Sequence, residues 1–97
     1  MAILYSITMV YYKIHNDLGS GRAVRVRIHD LYGPGKDGVM EQINPGGSEL
    51  INNFSGGGPH KISVRLHATG KLNPNCGNYG PGLYSVSSLT GWPKDVL

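Results

Sequence analysis

Val24-Arg25-Val26-Arg27-Ile28-His29 and Ile62-Ser63-Val64-Arg65-Leu66-His67 are two similar stretches in which apolar and polar residues alternate. Successive side chains of a β-strand point to opposite faces of the sheet, so each stretch should bury one row and expose the other. The row predicted for the core consists of Val24, Val26, Ile28, Ile62, Val64, Leu66 and Ala68. The row predicted for the surface consists of Arg25, Arg27, His29, Lys61, Ser63, Arg65 and His67. If the two strands share a sheet, one outer face carries basic and histidine side chains.

The rest of the chain has the same character of short strands joined by turns. Its 97 residues include 15 glycines and six prolines, which fall between apolar runs, and no window supports an amphipathic helix of three turns. In the N-terminal run, the odd positions from Ile3 to Tyr11 form one apolar row, and the even row is mixed. Strands are predicted in the run through Leu18 and over residues 22–31, 39–43, 49–54, 60–68 and 83–89. The sequence therefore predicts an all-β fold, a small antiparallel β-sandwich of six to seven strands that forms a single domain over residues 1–97.

Composition narrows the classes of function only slightly. Nine Lys and Arg residues against six Asp and Glu give a net charge of +3, a mild bias toward anionic partners. Cys76 is the single cysteine, so the chain has neither an internal disulfide nor the thiolates of a structural zinc site. The start lacks the basic region of a secretory signal, so we expect a cytoplasmic protein as synthesised, with release by a non-classical route as an option.

No motif indicates catalysis. Gly33-Pro34-Gly35-Lys36-Asp37-Gly38 has the spacing G-x-G-x-x-G, but a predicted strand follows it, and phosphate binding needs a helix there. Ser48 lacks the setting of a nucleophile elbow, and no histidine is expected to pair with a hydroxyl. His29 and His67 could meet across neighbouring strands, yet two imidazoles are too few for a metal site. We therefore expect a non-enzymatic protein with no catalytic residues, no metal and no cofactor.

Three aromatic residues, Tyr32, Tyr79 and Trp92, fall in predicted loops or the C-terminal tail. Aromatic rings in such places often stack on sugars or lie at membrane interfaces. Single-stranded nucleic acid requires aromatic rings beside the basic groups, and the two basic rows contain none, which disfavours nucleic acid as a partner.

Two segments carry a resemblance to a known family. Residues 12–21 run into the alternating strand at residues 24–28, and Ile43-Asn44-Pro45-Gly46-Gly47-Ser48 follows with a Pro-Gly-x-Ser turn. Together they resemble the opening half of aegerolysin-type β-sandwiches, over about residues 2–54. The resemblance implies a small cytosol-made sandwich that binds membrane lipids, in some members with a larger pore-forming protein partner. This chain departs from the family in being shorter, in being basic and in having one tryptophan.

These observations predict a binding module for a membrane lipid head group or a glycan of anionic character. The residues expected to bind the ligand are Arg25, Arg27, His29, Lys61, Arg65, His67, Tyr32, Tyr79 and Trp92. Two alternatives remain open at this point. The chain could be a self-assembling subunit, in which exposed strand edges form a homo-oligomer, or a small nucleic-acid-binding protein.

Overall fold

A computed structural model describes residues 10–19, 21–29, 38–73 and 77–96 of the protein. Seven strands form two sheets: β1 Tyr12–His15, β2 Val24–His29, β3 Glu41–Ile43, β4 Ser48–Ile51, β5 His60–Leu66, β6 Asn78–Tyr79 and β7 Gly82–Ser85. One sheet has the order β4-β1-β7 and the other β3-β2-β5-β6. The predicted all-β sandwich of six to seven strands is confirmed. Tyr32, Cys76 and the N-terminal run before Val10 lie outside the described residues.

The alternating stretches pair with each other, as their pattern predicts. β2 and β5 are antiparallel, with Val26 opposite Val64 and Arg27 opposite Ser63. Every apolar residue of the two predicted core rows that lies within these strands is at most 1% exposed. Ala68 is the exception and was wrongly assigned to the core. β5 ends at Leu66, and residues 67–69 form a turn that carries Ala68 into solvent.

The three-stranded sheet departs from the antiparallel prediction at one pair. β1 is antiparallel to β4 but parallel to β7, with Tyr12 opposite Gly82. The chain leaves β6 in one sheet and enters β7 in the other within three residues, and this crossing delivers β7 beside β1. Tyr12 and Ile14, from the mixed even row, are fully buried, while Lys13 is exposed.

The predicted strand over residues 83–89 is wrong beyond Ser85. The chain instead forms a five-residue helix, α1 Val86–Thr90, because both of its ends are capped. The Ser85 hydroxyl accepts a hydrogen bond from the Ser88 N–H, and Gly91 ends the helix with a positive φ of 71°. The Asp17 carboxylate also accepts bonds from the backbone N–H and the hydroxyl of Ser87, which ties the helix to the end of β1. α1 is the one helix among the described residues and is far too short to cross a bilayer.

Buried polar side chains fix the connections between the sheets. Asn16, fully buried, donates to the carbonyls of Arg22 at 2.7 Å and Ile43 at 3.0 Å and accepts from the Leu18 N–H at 3.1 Å. The Tyr12 hydroxyl donates to the Tyr79 carbonyl at 2.6 Å, and its oxygen lies 2.9 Å from Nδ1 of buried His60. Burial raises the pKa of the Tyr12 phenol, which keeps it protonated and able to donate.

Candidate functional site

The outward side chains of β2 and β5 form a surface that we call the basic face, made of Arg25, Arg27, His29, Lys61, Ser63 and Arg65. The register places Arg25 opposite Arg65, Arg27 opposite Ser63 and His29 opposite Lys61. On the flanking strands, Gln42 is opposite Arg25 and Asn78 is opposite Lys61. None of the described strand residues that share this face is acidic, so its charge is uniformly positive.

Two arginines of the basic face lie directly across from each other. Residues opposite one another on antiparallel strands have Cβ atoms about 4.5–5.5 Å apart, and like charges in such positions destabilise the sheet. Arg25 and Arg65 occupy such a pair. Both side chains are exposed, so water and salt weaken the repulsion without removing it.

His29, at the end of β2, and Ser63 of β5 form a hydrogen-bonded pair on this face. Nε2 of His29 lies 2.6 Å from the Ser63 hydroxyl oxygen, and both residues are partly buried. On the other sheet, Nδ1 of His15 lies 2.8 Å from the Ser48 hydroxyl oxygen. The expectation that no histidine pairs with a hydroxyl is therefore wrong, since strand neighbours brought these residues together. A hydrolase also needs an oriented base and oxyanion donors, so a pair of this kind does not by itself make an active site.

His67 lies just beyond the strand pair that carries the basic face. It follows the last residue of β5, and its backbone N–H donates to the carbonyl of Ala23 at 3.0 Å. His29 lies opposite Lys61 at the other end of the same strand pair, so the expected meeting of the two histidines does not occur. Among the described residues, no group of three His, Cys, Asp or Glu side chains is placed to hold a metal ion.

A groove of about 180 Å³ crosses the basic face. Its lining consists of Arg27, His29, Met40, Ser63, Arg65 and Leu72. Leu72 is brought to this face by a bridge to Arg65, and Met40 directly precedes β3. Sequence reasoning missed both apolar residues because neither lies in an alternating run, and only the tertiary fold places them beside the arginines.

Arg27 is the most enclosed cation of the basic face. The residue is partly buried, and its Nε atom is buried with no hydrogen-bond acceptor among the described residues. Arg25, Lys61 and Arg65, in contrast, are exposed. Arg27 therefore presents a guanidinium that the described part of the protein leaves incompletely bonded.

Two of the three aromatic residues assigned to ligand binding are not available for stacking. Trp92 is only 6% exposed, because α1 and Gly91 return the chain to the core, and the Lys71 ammonium lies 5.7 Å from its ring centre. Tyr79 lies in β6, packs against the core and donates its hydroxyl to the Leu89 carbonyl at 3.3 Å. These assignments are corrected, and that of Tyr32 lies outside the described residues.

Comparison with known protein families, curated proteins and solved structures finds no match to this chain. The likeness to aegerolysins therefore stays a hypothesis that rests on the sequence segments alone.

Proposed function

We propose that the protein is a non-enzymatic binding module that recognises an anionic group on a glycan or a membrane lipid head group. The ligand binds on the basic face, where Arg25, Arg27, Lys61 and Arg65 supply charge-assisted hydrogen bonds. Because Trp92 and Tyr79 are held in the core, aromatic stacking is not part of this proposal.

The observation that carries the proposal is the alignment of cations without acidic neighbours. Three arginines, one lysine and His29 share one sheet face, and no described strand residue on that face is acidic. Such a cluster raises the local concentration of anions and steers them to the surface. The opposition of Arg25 and Arg65 costs stability in the free protein, and a bound anion between the cations would offset it.

The test replaces Arg25, Arg27 and Arg65 by Gln and measures binding to heparin and to vesicles of anionic lipid. We expect the triple variant to keep the fold and lose most of its affinity, since these residues point away from the core. The matched control replaces Lys13, Lys71 and Lys94 by Gln, which removes the same charge from exposed positions elsewhere. If the two variants bind equally, the basic face is only a solvated surface and the proposal is wrong.

The same experiment separates the two ligand sources and the nucleic-acid alternative. Selective binding to heparin indicates a glycan, and selective binding to vesicles indicates a lipid head group. Binding to a single-stranded oligonucleotide in preference to both would favour nucleic acid, although the basic face has no aromatic side chain on which bases could stack.

Self-assembly is the second candidate, and a different surface favours it. Leu50 and Leu83 are 51% and 73% exposed and lie on either side of Lys13, on the two edge strands of the three-stranded sheet. Exposed edge strands with apolar side chains can pair with other chains. Size-exclusion chromatography of the parent and a Leu83→Lys variant checks this: a dimer or larger species that the variant abolishes supports assembly.

A further inference from the structure

The groove on the basic face combines cationic, polar and apolar side chains. Arg27 and Arg65 are hydrogen-bond donors, and Ser63, opposite Arg27, is hydrogen-bonded to His29. Met40 and Leu72 supply apolar surface, and the lining contains no carboxylate. A groove with this lining suits an anionic group that accepts hydrogen bonds and is bonded to an apolar or cyclic carrier.

The incomplete bonding of Arg27 points in the same direction. Buried donors in folded proteins almost always have a partner, so a buried Nε without an acceptor calls for an explanation. The Nε of Arg27 has none among the described residues, and Arg27 lines the groove. An anion that enters the groove brings oxygen acceptors within reach of this guanidinium.

The size of the groove limits what can enter it. Pockets for drug-sized ligands are typically about 300–1,000 Å³, whereas this groove has about 180 Å³. It therefore fits one charged group and part of its carrier, not a whole lipid or oligosaccharide.

Building on the proposed function, we propose that the groove binds a single sulfate or phosphate monoester whose organic part lies between Met40 and Leu72. A tetrahedral monoester directs three oxygens outward, so the guanidiniums of Arg27 and Arg65, on neighbouring strands, can bind it together. A carboxylate has two oxygens in one plane, which match the planar fork of one guanidinium and leave no third oxygen for a second guanidinium. The chemistry of the site thus favours the tetrahedral ester over a carboxylate of equal charge.

The test compares phenyl sulfate, methyl sulfate and benzoate, each with one negative charge, by calorimetry or by chemical-shift titration. We expect one site per chain and at least about tenfold tighter binding of phenyl sulfate than of benzoate, because the ester has a third oxygen for the second arginine. Methyl sulfate should bind more weakly than phenyl sulfate. Leu72→Ala should abolish that difference in affinity without lowering the affinity for methyl sulfate. Glucosamine 6-sulfate and inositol 1-phosphate then distinguish a glycan source from a lipid head-group source.

Two arginine variants decide whether the groove or the general charge is responsible. Arg27→Gln should weaken phenyl sulfate by about tenfold or more, and Arg27→Lys should rescue it only in part because the planar fork is lost. Lys13→Gln is the matched control, since it removes one charge from an exposed position on the three-stranded sheet that does not line the groove. It should change the affinity for phenyl sulfate by less than about threefold, as expected for a distant, screened charge.

The outcomes separate this inference from the proposed function. Equal binding of benzoate and phenyl sulfate, or equal losses of phenyl sulfate affinity from Lys13→Gln and Arg27→Gln, overturns the inference, even if heparin or vesicles still bind the basic face. If the parent protein binds neither heparin nor anionic vesicles but still binds phenyl sulfate more tightly than benzoate, the proposed ligand class is wrong and the inference about the groove is supported.

Discussion

Arg25 and Arg65 face each other across two neighbouring strands, on a surface whose other described strand residues include no acid. A sheet selected for stability alone would place a Glu or Thr opposite an arginine, because opposite charges or small polar side chains there contribute favourably. The arrangement is expected where binding, not stability, decides the residue type, and natural proteins often give up stability at such sites.

Removal of one arginine of this pair should therefore stabilise the protein. Arg25→Gln is expected to raise the free energy of unfolding by about 0.2–1 kcal/mol at low salt, because it relieves the repulsion from Arg65. Urea denaturation measures the change. Arg25→Lys keeps the charge and should show no gain, and the gain should shrink at 1 M salt. An unchanged or lower stability of Arg25→Gln in low salt would show that the two guanidiniums do not repel each other.

At the level of elements, the junction between β1 and α1 depends on one carboxylate. Burial alone would raise the pKa of Asp17, but hydrogen bonds from the Ser87 hydroxyl and N–H, together with the charge of Lys94, lower it below the usual 3.8. The ionised form is therefore favoured by the fold. Its contribution to stability is present above the unfolded pKa and is lost as pH falls through the folded pKa.

Asp17→Asn should reduce the free energy of unfolding on the order of 1 kcal/mol at pH 7, because a charged acceptor of two hydrogen bonds is replaced by a neutral one. The difference between variant and parent should diminish as pH falls below the usual value of 3.8 and through the lowered pKa of Asp17 in the folded protein. Denaturation curves at pH 7, 5 and 3 measure it. When Ser87 is also replaced by Ala, the pH-dependent part of this difference in the free energy of unfolding should be much smaller. A difference between Asp17→Asn and parent that stays constant from pH 7 to pH 3 would contradict the role assigned to the Asp17 carboxylate.

The same junction shows why part of the fold could not be predicted from the sequence. The alternation at residues 24–29 and 62–67 predicted β2, β5 and their buried rows correctly. Burial of one face of a sheet requires an apolar residue at every second position, and this pattern is visible in the sequence. α1 has only five residues, too few to show helical periodicity, and its signals are the two caps, Ser85 and Gly91. Trp92 follows it, so a missed helix turned a core tryptophan into an apparent surface aromatic.

The groove also could not be predicted from local sequence patterns. Arg27, His29 and Arg65 were assigned to one face correctly, but Met40 and Leu72 enter the site from outside the alternating segments. Leu72 reaches it through a bridge to Arg65, after a turn that reverses the chain beyond β5. Contacts of this kind depend on chain reversals that leave only weak signals in a single sequence.

At the scale of the whole molecule, the two outer faces of the sandwich differ in charge and polarity. The four-stranded sheet presents the basic face, whereas the three-stranded sheet presents a row of Leu50, Lys13 and Leu83. Lys61 and Lys13 are both exposed and lie on opposite outer faces of the sandwich. An anionic ligand should cover one side only.

Acetylation of lysines in the presence of heparin should reveal this polarity. Lys61 should be protected several-fold relative to the free protein, while Lys13 should react at its original rate, because only Lys61 belongs to the basic face. Mass spectrometry of the labelled peptides measures both sites in one sample. Equal protection of the two lysines would mean that binding is not confined to the basic face.

The parallel pairing of β1 with β7 imposes an order on biosynthesis. Ribosomes make the N-terminal strand first, yet β1 is the central strand of its sheet and needs a partner that ends at Ser85. Until that point, one edge of β1 has no permanent neighbour, whereas β2 and β3 emerge close together and can pair early. Contacts between distant segments also form slowly, since the chain must first close a long loop. The three-stranded sheet is thus completed only after Ser85 has been made, and until then the open edge of β1 is exposed to wrong pairing.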